Sequence, residues 1–166
     1  MPFTPFHLGP GLFAKAMDTR QVSFSAFAAT QVVVDLEPLY FILRGDYPVH
    51  RWAHTIWLAG AIGLATGAAL SRLARRWLGA APPVVQADLA MAPALVGGLI
   101  GGLSHPMLDG LMHRDVRALR PFSDATWTLQ PSEIPALHVA CLLAGVLGAL
   151  RLLAEKHTTD RNKEAS

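Results

Sequence analysis

Residues 89–113 read LAMAPALVGGLIGGLSHPMLDGLMH, and this stretch decides the class of fold. Its first part, 89–103, is apolar and rich in glycine, which membrane helices tolerate better than soluble ones do. The glycine pairs 97–98 and 101–102 either let a second helix approach closely or make the span flexible. The stretch ends on His105, Asp109 and His113, which lie four residues apart and share one face of a helix.

Three more apolar stretches of similar kind lie at 22–43, 52–70 and 134–150. The chain is 52% hydrophobic and 16% charged, whereas soluble domains are about a quarter charged. A membrane span needs about 20 apolar residues. The stretch at 89–103 is shorter than that, so a buried bundle in a soluble protein is the alternative. We expect an all-α membrane bundle of about four spans, formed by a single domain over 1–154 and followed by a flexible polar tail over 155–166.

The charges fit a membrane protein better than a nucleic-acid-binding one. The net charge is +2 over 166 residues, which gives no electrostatic footprint for nucleic acid. The lone Cys141 excludes an internal disulfide. With four spans, the N-terminal flank, the loop after the second span and the tail lie on one side of the membrane. These segments carry nine of the 14 lysines and arginines, so the positive-inside rule places the opposite face outside the cytoplasm.

The ionisable residues of the apolar stretches concentrate at that other face. In an up-and-down bundle, the end of the first stretch, the start of the second and the end of the third meet there. The side chains at these ends are Asp35, Glu37, His50, His54, His105, Asp109 and His113. His7 joins them if the proline-rich N-terminal segment folds back along the first span.

Local spacing supports convergence of these side chains. His50 and His54 are four residues apart and would share a helix face at the start of the second span. Asp35 and Glu37 are two apart and precede Pro38, which predicts a break in the helix that turns both carboxylates towards one point. His138 and Glu133, at the start of the fourth stretch, are either additional ligands or polar residues that only pack against their neighbours.

Charged groups persist in apolar spans where they pair, bind metal or line a cavity. Mixed imidazole and carboxylate ligands favour a divalent transition metal, zinc first, with manganese or iron as alternatives. Eight ligands exceed one coordination shell, so two ions are expected, as in phosphoester hydrolysis. A metal-activated water would then be the nucleophile, with Asp35 or Glu37 as proton acceptor. Arg51 either holds an anionic substrate group or extends to the membrane interface.

Five ordered blocks resemble the bacterial and archaeal inner-membrane metal-dependent hydrolases, the YdjM-like family. The blocks are His7, the acidic pair in 34–38, the His-Arg-x-x-His segment in 50–55, the Leu-Ser-His-x-x-x-Asp segment in 103–109, and Arg-Pro-Phe in 120–122. The chain departs from the family pattern at Glu37, where aspartate is common, and at Pro38, which replaces a histidine. The resemblance implies a multi-pass hydrolase of the cell inner membrane. The location of the site at the membrane interface favours a phosphoester or another lipid-like ester, either a small molecule or a lipid, as the substrate.

A non-catalytic protein is the principal alternative. The same cluster would then store or sense metal, or hold three helices together as a structural site. Structural zinc sites are closed by protein ligands, whereas catalytic sites keep one position open. A soluble helical domain that docks on a membrane protein is a further alternative.

Overall fold

The computed structural model describes residues 5–77, 79 and 81–164, and these form helices and loops with no strand. The helices are α1 (Leu8–Met17), α2 (Phe24–Arg44), α3 (Ile56–Trp77), α4 (Pro83–Asp88), α5 (Met91–Met112) and α6 (Ile134–Glu164). Within this part of the chain, α2, α3, α5 and α6 are long and apolar enough to cross a membrane. The predicted all-α fold with four candidate spans is confirmed.

Glycines bring α3 and α5 into close contact at the centre of the bundle. Gly63 and Gly98 lie back to back, and a Cβ atom added to either would collide with the carbonyl oxygen of the other. Gly102 lies equally close to the carbonyl of Ala59. The glycines of α5 therefore allow backbones to approach, as small residues do in membrane bundles. Of the two explanations for the glycine pairs, close helix contact is confirmed.

The short helix α1 attaches α6 to the rest of the bundle. It is 10 residues long, or about 15 Å, half the depth of a membrane. Gly9 packs on the backbone of Cys141, and Gly148 packs on the backbone of Leu12. The outer face of α6 exposes apolar side chains such as Leu143 and Leu147, as expected for a helix that faces lipid.

Two tryptophans on α3 mark the expected borders of the apolar layer. Trp57 and Trp77 are 58% and 70% exposed, and they are separated by about 30 Å at 1.5 Å per helical residue. This distance equals the thickness of the hydrocarbon core, and tryptophan concentrates at its two borders. The end of the bundle near Trp57 carries the predicted ligands.

Some predicted boundaries are wrong. The helix α2 continues through Pro38, which is buried, because membrane helices tolerate the loss of one backbone hydrogen bond when neighbouring elements pack against them. The second span begins at Ile56, and Trp52–His54 forms a separate 3-10 turn. The fourth helix does not end near residue 150 but continues to Glu164. There the Arg151 and Glu155 side chains pair at 3.7 Å, one helical turn apart.

The long connection between α5 and α6 folds over the end of the bundle that holds the ligands. The N–H of Ile56 donates to the carbonyl of Ala118 at 2.9 Å, and the N–H of Leu129 donates to the carbonyl of Leu111 at 2.9 Å. Val116 in this connection is buried. The connection therefore shields the cluster described below from solvent.

At the opposite end, Asp88 ties three segments together. Its carboxylate pairs with Lys15 at 2.8 Å, accepts the hydroxyl of Ser23 at 3.0 Å, and accepts the backbone N–H groups of Phe24 and Ser25. These N–H groups belong to the first turn of α2, which lacks partners within the helix. Asp88 thereby fixes the end of α1 and the start of α2 relative to the end of α4.

Candidate metal centre

Four buried side chains from three elements meet at the end of the bundle. Asp35 of α2, His54 of the 3-10 turn, and His105 and Asp109 of α5 offer ligand atoms within 4.8 Å of one another. Oδ2 of Asp109 lies 3.3 Å from Nε2 of both histidines. Oδ1 of Asp35 lies 3.3 Å from Nε2 of His105 and 3.8 Å from Nε2 of His54. The two Nε2 atoms are 3.2 Å apart.

These distances fit a tetrahedral metal site. Zinc binds nitrogen and carboxylate oxygen at about 2.0–2.2 Å, so ligand atoms at the corners of a tetrahedron lie about 3.3–3.6 Å apart. The His–His separation of 3.2 Å lies just below that range, three His–carboxylate separations of 3.3 Å lie at its short end, and the His54–Asp35 separation of 3.8 Å lies just above it. The four groups are therefore close enough to one another to hold one ion.

A second group shares Asp109 with the first. His50, Asp109 and His113 also offer ligand atoms within 4.8 Å of one another. Nε2 of His50 lies 3.9 Å from Oδ2 of Asp109, and the rings of His50 and His113 stack at 4.6 Å. This group has three protein ligands, and the first has four. Asp109 is the carboxylate common to both.

Two of the histidines are oriented by acceptors behind them. Nδ1 of His105 lies 2.5 Å from Oε1 of Gln31, whose amide N–H₂ donates to the carbonyl of Gly101 at 3.2 Å. Because the amide nitrogen is used by that carbonyl, the oxygen faces His105 and accepts its Nδ1–H. Nδ1 of His50 lies 3.0 Å from Oδ1 of Asp115 in the same way. Each ring therefore presents Nε2 to the cluster, which is the arrangement found for metal-bound histidine.

Glu37 lies on the corresponding side of His54, although Nδ1 of His54 has no hydrogen-bond partner within the described residues. Its carboxylate accepts the backbone N–H groups of Arg51 at 2.9 Å and Ala53 at 3.0 Å, and lies 3.5 Å from Nδ1 of His54. Because α2 is continuous, Asp35 and Glu37 point to different sides of the helix, and the turn carrying His54 passes between them. Asp35 lies on the Nε2 side of the His54 ring. Glu37, which was predicted as a ligand, belongs to neither ligand group.

His7 reaches the cluster from the start of α1, as predicted for a folded-back N-terminal segment. Its side chain is buried, and Nε2 lies 3.4 Å from Oδ1 of Asp109. Neither ring nitrogen has a hydrogen-bond partner within the described residues. Burial lowers the pKa of His7 to about 4, despite the attraction of Asp109. The imidazole is therefore neutral at physiological pH and keeps one ring nitrogen with a free lone pair, although His7 belongs to neither of the two ligand groups.

The electrostatics of the cluster favour a cation. Burial alone lowers the pKa of His54, but the carboxylates of Asp109, Asp35 and Glu37 outweigh burial and raise it to about 10. A positive charge on this ring is thus stabilised by carboxylates on both of its sides. A divalent ion held at Nε2 would supply that charge in place of the imidazole proton.

The remaining predicted residues lie away from the cluster. The guanidinium of Arg51 stacks on the ring of Phe41 at 3.6 Å, and its Nε donates to the carbonyl of Pro48 at 2.9 Å. His138 stacks on Phe6 at 4.2 Å, which agrees with the packing explanation. The side chain of Glu133 accepts the backbone N–H of Gln130 at 2.8 Å.

Sequence reasoning missed Gln31 and Asp115. Gln31 lies four residues before Asp35 and therefore shares its face of α2, a spacing that indicates a polar contribution to the site. Asp115 lies in an irregular segment two residues after His113, and no periodicity there indicates which residue it faces.

Comparison with known proteins adds no assignment. No protein family, curated protein or solved structure matches the chain. The function therefore has to be inferred from the geometry of the cluster.

Proposed function

We propose that the protein is a membrane-embedded hydrolase that depends on divalent metal, with zinc as the first choice. The observation that carries this proposal is the orientation of His50, His54 and His105. Each presents Nε2 to shared carboxylates. A protein oxygen forms a hydrogen bond with Nδ1 of His50 and of His105, and a carboxylate oxygen of Glu37 lies 3.5 Å from Nδ1 of His54. Buried histidines that only pack have no need of this two-sided arrangement, whereas metal ligands require it.

The two ligand groups have different roles in this proposal. The group of Asp35, His54, His105 and Asp109 closes a four-coordinate shell with protein atoms alone, as structural sites do. The group of His50, Asp109 and His113 supplies three ligands, which is the number typical of catalytic zinc sites. A divalent ion at such a three-ligand site activates water for hydrolysis at neutral pH. Asp109 holds the two sites together.

The chain contributes positioning and shielding. Glu37 is engaged by two backbone N–H groups, so it positions the turn of His54. The buried Val116 of the α5–α6 connection excludes bulk water, which strengthens electrostatic interactions inside the site.

The position of the cluster supports a phosphoester or lipid-like ester as substrate. His54 precedes Trp57 by three residues in the sequence, and Trp57 marks the expected border of the apolar layer. A substrate with an apolar part in the membrane would therefore present its polar bond at this level. The resemblance to inner-membrane metal-dependent hydrolases supports the same assignment, with the site on the non-cytoplasmic face of the cell inner membrane.

Metal content and hydrolysis, measured together, test the proposal. Detergent-purified protein should contain about two equivalents of transition metal, the stoichiometry of a two-ion centre, and should cleave bis(4-nitrophenyl) phosphate. His113→Ala removes a ligand from the three-membered group only, so it should lose about one equivalent together with activity. His157→Ala, on an exposed position of α6, is the matched control and should retain both.

A structural metal site is the second candidate, and the closed four-ligand group favours it. In that case the protein would contain one equivalent of metal and no hydrolytic activity, and His113→Ala would change neither quantity. That result would contradict catalysis while leaving the four-ligand site in place.

A further inference from the structure

A small cavity rich in arginine adjoins the three-ligand group. It has a volume of about 160 Å³, below the roughly 300–1,000 Å³ of pockets that enclose a whole ligand. Its lining residues are Tyr47, Pro48, Arg114, Asp115, Arg117 and Arg120. Three arginines thus line a space that suits one compact anionic group.

Asp115 connects this cavity to the candidate metal centre. Its Oδ1 bonds Nδ1 of His50 at 3.0 Å, and its Oδ2 accepts the backbone N–H groups of Val49 and His50, each at 3.1 Å. Nε2 of His50 faces Asp109. The imidazole of His50 therefore lies between the cavity wall and the carboxylate shared by the two ligand groups. The negative charge of Asp115 is directed at His50 and the backbone.

The arginines of the cavity differ from the other arginines at this end of the bundle. Arg44 lies over the ring of Tyr40 and Arg51 over the ring of Phe41. In the cavity, Arg117 donates to the carbonyl of Arg114 at 2.7 Å, and Arg120 pairs with Asp124. A guanidinium carries five N–H donors in a planar fork. These contacts use a minority of the donors and hold the side chains in place.

We propose that this cavity binds a phosphate group of the substrate on the Nδ1 side of His50, and that this phosphate anchors the substrate next to the three-ligand group. The inference rests on the proposed hydrolase function and narrows its substrate class to phosphate-bearing compounds. Arginine forks match phosphate oxygens in bidentate pairs. Headgroup phosphates and soluble phosphate esters share this chemistry, and both reach the level of Trp57 at the membrane border.

Phosphate binding by two charge-matched variants tests the proposal. Arg114→Gln combined with Arg117→Gln removes two charges from the cavity. Arg72→Gln combined with Arg75→Gln removes two charges from the far end of α3 and is the control. Binding of inorganic phosphate is measured by calorimetry at constant ionic strength. Binding to nanodiscs of phosphatidylcholine, with and without a minority of phosphatidic acid, is measured in parallel. Metal content is determined on every sample.

The cavity variant should bind inorganic phosphate at least about tenfold more weakly than wild type, as expected for the loss of charge-assisted hydrogen bonds. The control should bind like wild type. A larger loss on phosphatidic acid nanodiscs assigns the phosphate to a lipid headgroup, and an equal loss on both probes assigns it to a soluble ester. Either pattern supports the proposal.

Equal phosphate binding by the cavity variant and the control would overturn the inference, and normal metal content in that sample would leave the hydrolase proposal standing. Conversely, arginine-dependent phosphate binding in protein without metal would support the cavity and contradict the metal centre. Should the double variant fail to fold, Arg114→Gln alone is used, because this side chain is exposed; the same weakening, reduced in size, is expected.

Discussion

Gln31→Leu should weaken zinc binding without removing any metal ligand. The amide oxygen of Gln31 accepts Nδ1–H of His105 at 2.5 Å, and its amide nitrogen donates to the carbonyl of Gly101. Gln31 is buried. Leucine has nearly the same size and no acceptor, so Nδ1–H of His105 loses its partner in the interior. The ring is then free to rotate, and Nε2 is no longer held towards Asp35 and Asp109.

The magnitude follows from the number of interactions lost. Loss of one partner behind a metal-bound histidine weakens metal binding about 10- to 100-fold, which equals about 1.4–2.8 kcal/mol. The metal-free protein should also lose about 1–3 kcal/mol of unfolding free energy, because a buried donor is left without an acceptor.

Zinc affinity can be measured by competition with a chromogenic chelator in detergent. Gln31→Glu keeps an acceptor opposite His105 but loses the donor to Gly101; it is the control and should bind zinc more tightly than Gln31→Leu does. A Gln31→Leu protein that is folded and binds zinc as tightly as wild type would refute the role assigned to Gln31.

Three further predictions concern packing, pH and metal. Gly98→Ala should cost about 1–3 kcal/mol of unfolding free energy through overpacking against α3, measured by denaturation in detergent, whereas Gly79→Ala, with nothing within 4 Å, should be neutral. The pKa of Asp88 is held below its ordinary value because Lys15 and the Ser25 N–H outweigh burial, so its stabilisation is present at neutral pH and lost as the pH falls below about 4; the melting temperatures of wild type and Asp88→Asn should converge there. Chelator treatment should lower the melting temperature, since zinc at about a thousandfold excess over its Kd adds about 4 kcal/mol to the folded state; an unchanged melting temperature would contradict a bound ion.

The broad architecture was predictable because it depends on local sequence features. The long apolar stretches indicate four spans, and His105 and Asp109, which are four residues apart, lie one turn apart in α5 as predicted. The direction reversals of an up-and-down bundle then bring the ends of α2 and α5 together. The position of His7 near the cluster was also predictable, because the segment before α2 is long enough to fold back along it.

The details that failed depend on tertiary contacts. His50 and His54 were expected on one helix, but they lie in a loop and a 3-10 turn. Their rings still approach to 4.6 Å, because Glu37 and Asp115 bind the backbone of this segment. Such bonds join residues distant in sequence, so spacing does not report them. Pro38 similarly indicates a break only when local preference is considered without the packing around α2.

The central claim is that the buried cluster binds a divalent ion, and locating zinc by anomalous diffraction from crystals of the zinc-loaded protein tests it most directly. We predict an anomalous peak about 2.0–2.2 Å from Nε2 of His54, Nε2 of His105 and carboxylate oxygens of Asp35 and Asp109, with a second peak beside His50 and His113. Zinc bound only at other positions, with these four side chains collapsed on one another in its presence, would contradict the account.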